Sequence, residues 1–268
     1  MFVPPSAGAG KVPVLVYFHG VGFCVGSFAE PNFHAACLRL AASLPAVVLS
    51  ADYRLAPEHS LPAAFDDAGS VFSWLRAQAA AGTDPWLASS ADLGRLFVSG
   101  DSPGANIAHH AAVRAGPGGG VRLAGCVLLW PYFGGERRTA SEAACPADVF
   151  LTLPLYDQMW RLALPPGATR DHPAGNPFGP DSPALGAADL PPLLVAAGDG
   201  DMLIDRIRDY VAWRGSGPRG TSAPSSSSSR GPAMGSPSSS RTPRRRASSS
   251  ASCGGSCTAA ALGSRTRA

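Results

Sequence analysis

Two glycine-bearing stretches hold the residues whose types and order suit acyl-transfer chemistry. Gly100-Asp101-Ser102-Pro103-Gly104 fits the G-x-S-x-G pattern, and it falls between a predicted strand, Arg95 to Gly100, and a predicted helix, Pro103 to Ala115. In that setting the two glycines let the chain turn sharply, so that the Ser102 hydroxyl stands clear of the sheet at the start of a helix. His19-Gly20-Val21-Gly22-Phe23 follows an earlier predicted strand, Val14 to Phe18. Backbone N–H groups at Gly20, Val21 and Gly22 would there face the oxygen on which negative charge develops when a serine attacks a carbonyl. Alone, H-G-x-G is a common glycine turn. Upstream of a serine elbow it has the order of an oxyanion loop.

These residues need a rigid scaffold, and the remaining pattern supplies one. Short apolar runs alternate with longer amphipathic stretches, the mark of a mostly parallel sheet with helical crossovers. Further strands are predicted at Ala46 to Tyr53, Val121 to Trp130 and Pro191 to Gly198, each a run rich in apolar residues. Helices are predicted at Pro31 to Leu44, Pro62 to Ala81, Leu155 to Leu164 and Leu203 to Trp213. The irregular segment Tyr132 to Pro180 is expected to cap a pocket, with Tyr156 and Trp160 equally suited to lining it or to packing.

Composition divides the chain. From Arg214 to Ala268 there are nine Arg, no Asp, Glu or Lys, no aromatic residue and almost no branched aliphatic one. The net charge of +3 is therefore about −6 over residues 1–213 and +9 over 214–268. Residues 214–268 cannot bury enough apolar area to offset ordering entropy, so a disordered Ser/Pro/Arg-rich tail is expected beyond a folded unit at 1–213. The Ser, Pro, Arg, Gly, Ala and Cys mixture is also what out-of-frame reading of a GC-rich coding region yields. No aromatic residue is interleaved among the arginines to stack on bases, so no nucleic-acid partner is expected. The six cysteines form no C-x-x-C pair, which predicts free thiols and no metal site. The chain shows neither a signal-peptide pattern nor an apolar run of membrane-spanning length, so a cytoplasmic location without a membrane partner is expected.

With Asp52 to His59 (DYRLAPEH), Leu61 to Asp67 (LPAAFDD) and Gly100 to Asn106 (GDSPGAN), residues 1–213 resemble the plant carboxylesterases of the hormone-sensitive-lipase-like group. The resemblance implies an α/β-hydrolase fold, a mostly parallel central sheet with flanking helices, here incomplete at both ends. It also implies small soluble esters as substrates, no cofactor, and a Ser, Asp, His triad in that chain order. Matched position by position, Ser102 is the nucleophile, Gly20 and Gly22 flank the oxyanion loop, and Asp201 is the acid, with Asp199 and Asp205 as local competitors better suited to capping or ion pairs.

Three departures bear on activity. The triad histidine is expected roughly 30 residues beyond Asp201, yet no histidine follows His172. Pro103, directly after the serine, lacks the N–H that this position normally gives to the oxyanion. Val21 stands where the family loop has glycine, and a β-branched residue resists positive φ, so a distorted loop is expected. The N-terminal stretch is also short for the group. The sequence thus predicts a carboxylesterase by descent with little or no turnover, or alternatively a non-catalytic protein of the gibberellin-receptor type that binds a hormone-like ligand. It leaves the oligomeric state open, and it predicts an exposed sheet edge where a last strand would pair.

Overall fold

The structure, a computed structural model, describes residues 1–4, 10–115, 122–215 and 260–263, the last by backbone alone. Its frame is one sheet in the order β2-β1-β3-β4-β5-β6. The strands are β1 (Val12–Phe18), β2 (Val47–Ala51), β3 (Ala91–Asp101), β4 (Leu123–Leu129), β5 (Leu193–Ala197) and β6 (Ala260–Gly263). β1 to β5 pair in parallel, and β6 alone runs antiparallel, against β5. Parallel neighbours require crossovers, and these supply the helices: α1 (Pro31–Ser43), α2 (Ala63–Ala81), α3 (Pro85–Ser90), α4 (Pro103–Arg114), α5 (Ala140–Ala143), α6 (Leu153–Ala163) and α7 (Ile204–Gly215).

Strand alternation sorts the core into two faces. Val14, Val16 and Phe18 of β1, with Val98, Leu128 and Val195, join a large cluster that takes in Phe65 and Phe72 of α2, Ile107 of α4 and Tyr210 of α7. Leu15 and Tyr17 point the other way and meet Cys37 and Ala41 of α1, together with Val48. Phe97 and Leu129, farther along this second face, are only partly covered.

Local chemistry places the helix ends. Pro31 and Pro103 open α1 and α4, where the missing N–H costs nothing. Gly82 closes α2 at φ 61°, a left-handed conformation that glycine adopts freely. Asp84 caps α3 by accepting from the N–H groups of Trp86 and Leu87.

The structure bears on the sequence expectations at four points. Helix α7 continues through Arg214 to Gly215, two residues past the expected boundary. Most of the tail, expected to be disordered, lies outside the described residues; within it Ala260–Gly263 is described as the strand β6. The same strand sits on the β5 edge that was expected to be bare. Tyr156 and Trp160 are fully buried, which makes them packing residues, and Trp160 stacks on Tyr132 at 4.7 Å.

Candidate active site

The chain reverses at Ser102 between β3 and α4. Ser102 has φ 54° and ψ −118°, a sparsely populated conformation for a residue with a Cβ. Main-chain bonds hold it there. Its N–H donates to the Leu129 carbonyl at 2.8 Å, and its own carbonyl accepts from Ala105, Asn106 and Tyr132. The turn is tight enough that two glycines are obligatory. A Cβ on Gly100 would run into the Gly104 carbonyl group, and one on Gly104 into the carbonyls of Phe18 and His19. Helix α4 therefore starts in direct contact with the end of β1, beside the glycine loop. Buried Asn106 locks the turn from below, donating from Nδ2 to the carbonyls of Tyr132 and Ala174.

The loop after β1 is clamped from two sides. Tyr53 Oη donates to the His19 carbonyl at 2.9 Å and to that of Gly20 at 3.3 Å, and its ring stacks on His19 at 4.4 Å. His19 Nε2 lies 3.0 Å from Asp52 Oδ1, with Nδ1 3.0 Å from the Gly20 carbonyl. Arg54 in turn binds Asp67 through its side chain and its N–H. The DYR and FDD segments thus hold the loop rather than touch reacting atoms, roles that sequence reasoning left unassigned.

Gly20 leaves room for the Asp101 carboxylate, with which a Cβ would collide. Asp101 accepts from Tyr17 Oη at 2.6 Å, and burial raises its pKa above the usual carboxylate range. Gly22 is packed against Met159 of α6, which roofs the loop. Val21 takes φ 76°, with Gly22 and Phe23 at 64° and 66°. Val21 therefore holds a left-handed conformation, which costs a non-glycine residue about 1–2 kcal/mol. Glycine loop and Ser102 are brought together at the C-terminal end of the sheet.

Asp201 lies just past β5, two strands from β3. Its Oδ1 accepts from the Leu203 N–H at 2.8 Å, and burial raises its pKa. That is a capping geometry at the start of α7. Asp199 pairs with Arg208 on the surface, and Asp205 accepts from the Ser141 N–H. Among the described residues no histidine is bonded to Asp201, and no side chain is bonded to Ser102 Oγ. His109 is buried against Tyr210 Oη at 2.9 Å, and its pKa falls to about 4 because burial disfavours the cation. His110 stacks on Phe65 at 4.0 Å, and burial pushes its pKa well below the usual imidazole range as well. His172 Nδ1 accepts from the Ala174 N–H, His34 packs edge-on to Phe2, and His59 is exposed in a turn.

Behind the site, Glu142 is fully buried and binds Arg206 through both carboxylate oxygens, at 2.5 and 3.0 Å. The Arg206 guanidinium also donates to the carbonyls of Gly134, Gly135 and Arg137. This knot ties the segment after β4 to α7. Cys24, Cys37, Cys126 and Cys145 are free thiols. Among the described residues no three His, Cys, Asp or Glu side chains converge on one point, and no helix is long and apolar enough to cross a membrane.

A sheet of this order, with a strained serine at the β3–α4 turn and a glycine loop after β1, defines a class. Residues 15–216 match the family model described as "alpha/beta hydrolase fold", and the chain belongs to that family. Within it, the relatives are plant proteins of the hormone-sensitive-lipase-like group, as the motifs implied. The chain is 40% identical over 208 residues to the gibberellin receptor GID1B of Arabidopsis thaliana, covering 77% of this chain and 56% of that protein. It is 37% identical over 220 residues to the probable carboxylesterase 8 of Arabidopsis thaliana, covering 77% and 64%. Among solved structures, the esterase of Pyrobaculum calidifontis superposes with a TM-score of 0.65 at 32% identity, covering 76% of this chain and 62% of that one. The chain thus spans just over half the length of the first of these relatives.

Proposed function

We propose that this chain carries the serine half of a carboxylesterase site, built for small carboxylic esters but short of its base. Ser102 is the nucleophile of an acyl-enzyme route, and the N–H groups of Gly20, Val21 and Gly22 receive the oxyanion. Asp201 is the acid that would orient a histidine. The observation that carries the reading is the strained Ser102 turn packed against the loop of Gly20 to Gly22 while every histidine of the chain is committed elsewhere or stands apart in a turn. A hydroxyl without a general base stays a poor nucleophile, and loss of the histidine of a subtilisin-type triad costs on the order of 10⁶ in turnover. Pro103 removes one oxyanion donor as well, worth about 3 kcal/mol.

The test is hydrolysis of a short-chain aryl ester by the chain and by Ser102→Ala. Rates indistinguishable from each other and near background are expected. Clear turnover that disappears in Ser102→Ala would sink the claim of a missing base.

A second reading takes its support from the 40% identity to a protein named a gibberellin receptor. On it, the same scaffold retains a small hormone-like ligand without chemistry, in a cytoplasmic protein. Equilibrium binding of a radiolabelled gibberellin, unaffected by Ser102→Ala, separates this reading from the first.

A further inference from the structure

The β5 edge carries an occupant whose register is specific enough to interpret. In β5, the carbonyls of Pro192 and Ala196 accept from Cys126 and Trp130 on the β4 side. Main-chain groups of a strand alternate sides, so Leu194 also faces β4, whereas Leu193, Val195 and Ala197 present their N–H and C=O groups outward. Five parallel strands end there in a row of unpaired donors and acceptors, the feature that invites pairing with another chain.

β6 meets that row. Val195 is opposite Leu262 and Ala197 is opposite Ala260, while Leu194 and Ala196 are opposite Gly263 and Ala261. Because Val195 and Ala197 face outward, Val195 with Leu262 and Ala197 with Ala260 are the hydrogen-bonded pairs of the antiparallel ladder. The N–H of Ala261 then points away from β5. Reach is no obstacle, since the 44 residues from 216 to 259 could extend to ~150 Å.

We propose that Ala260–Gly263 is a tethered edge strand, which occupies β5 within its own chain and keeps that edge from pairing with a second copy. The chemistry of the site is backbone complementarity. Its occupant is a short extended segment entering antiparallel, here Ala-Ala-Leu-Gly.

The register makes the test position-specific. Full-length chains carrying Leu262→Pro, Ala260→Pro or Ala261→Pro are compared with the parent by amide hydrogen exchange at Val195 and Ala197. Leu262→Pro and Ala260→Pro each delete a ladder donor and should speed exchange at these amides at least tenfold. Ala261→Pro deletes an outward N–H, which an edge strand tolerates, and should leave them protected. The amide of Val16 inside β1 reports that the fold is intact in every variant. Sedimentation should show self-association for Leu262→Pro and a monomer for Ala261→Pro. Equal effects of the three prolines, or unprotected Val195 and Ala197 amides in the parent, would overturn the assignment. Protection that rises with protein concentration would give the edge to a second copy instead, and loss of protection without self-association would remove the blocking role.

Discussion

Replacing Gly104 with alanine tests whether the serine turn depends on contact between α4 and β1. A Cβ at Gly104 would lie 2.6 Å from the Phe18 carbonyl carbon and 2.7 Å from the His19 oxygen, and closer still to the Phe18 oxygen; ordinary contact begins at 3.4 Å. All three are main-chain atoms, so no rotamer change relieves the clash. The helix start must retreat by roughly 1 Å, carrying Ser102 with it. Overpacking of this kind costs typically 1–3 kcal/mol, and we expect about 3 because all three opposing atoms belong to the backbone at the end of β1. For a folded unit of this size that corresponds to a fall in Tm of roughly 6–12 °C, at about 2–4 °C per kcal/mol. Gly69→Ala is the matched control. A Cβ there meets nothing within 4 Å, and in the middle of α2 it should stabilise by up to about 1 kcal/mol. Urea unfolding of both variants, with unchanged m-values, gives the comparison. If Gly104→Ala falls within 1 kcal/mol of the parent, the elbow does not rest on this contact.

Other substitutions probe the surroundings of the site. Glu142→Gln leaves Arg206 without its buried partner and should cost about 3–5 kcal/mol in urea unfolding. Tyr53→Phe removes the hydroxyl that bridges the His19 and Gly20 carbonyls, with an expected loss of about 1–2 kcal/mol in the same assay. For pH, His109 is neutral in the folded chain down to about 4 but takes up a proton near 6.5 when unfolded. The unfolded state therefore binds more protons between these values. The contribution of His109 is complete above pH 6.5 and lost as pH falls towards 4, by about 3 kcal/mol. Chemical denaturation from pH 4 to 7 should show that slope, and His109→Gln should lessen it, leaving the part that buried His110 contributes in the same direction.

Much of this architecture is legible in the residues themselves, because buried parallel strands are apolar runs and crossover helices carry one apolar face. β1, β2, β4, β5 and all five predicted helices, α1, α2, α4, α6 and α7, fall within a few residues of their predicted ends. β3 begins at Ala91, four residues before the predicted Arg95, because Asp92 accepts from the Gly94 N–H in a turn-like stretch and the pairing with β1 shifts register there. Two short helices went unpredicted despite written signals: Asp84-Pro85 at the start of α3, and the capping box of Thr139 with Glu142 at α5. β6 had no local signal, since Ala-Ala-Leu-Gly becomes a strand only against an edge more than sixty residues earlier. At the site, Ser102 and the glycine loop announce themselves by motif. The clamp of Asp52 and Tyr53 on His19 does not, because its partners lie more than thirty residues apart. The role given to Asp201 rests on resemblance, and its observed bond is that of a helix cap.

The strand order also sets the pace at which this chain can fold. β1, which lies between β2 and β3, must wait for β3, whose paired residues lie some eighty positions later, and the next strands join across further crossovers. Such contacts repay chain closure late, so folding belongs to the slower, topology-limited range. At synthesis rates of roughly 5–20 residues per second, β1 and β2 would emerge several seconds before β3. Through that interval the apolar edge of β1 is the surface that a nascent chain must keep from other partners.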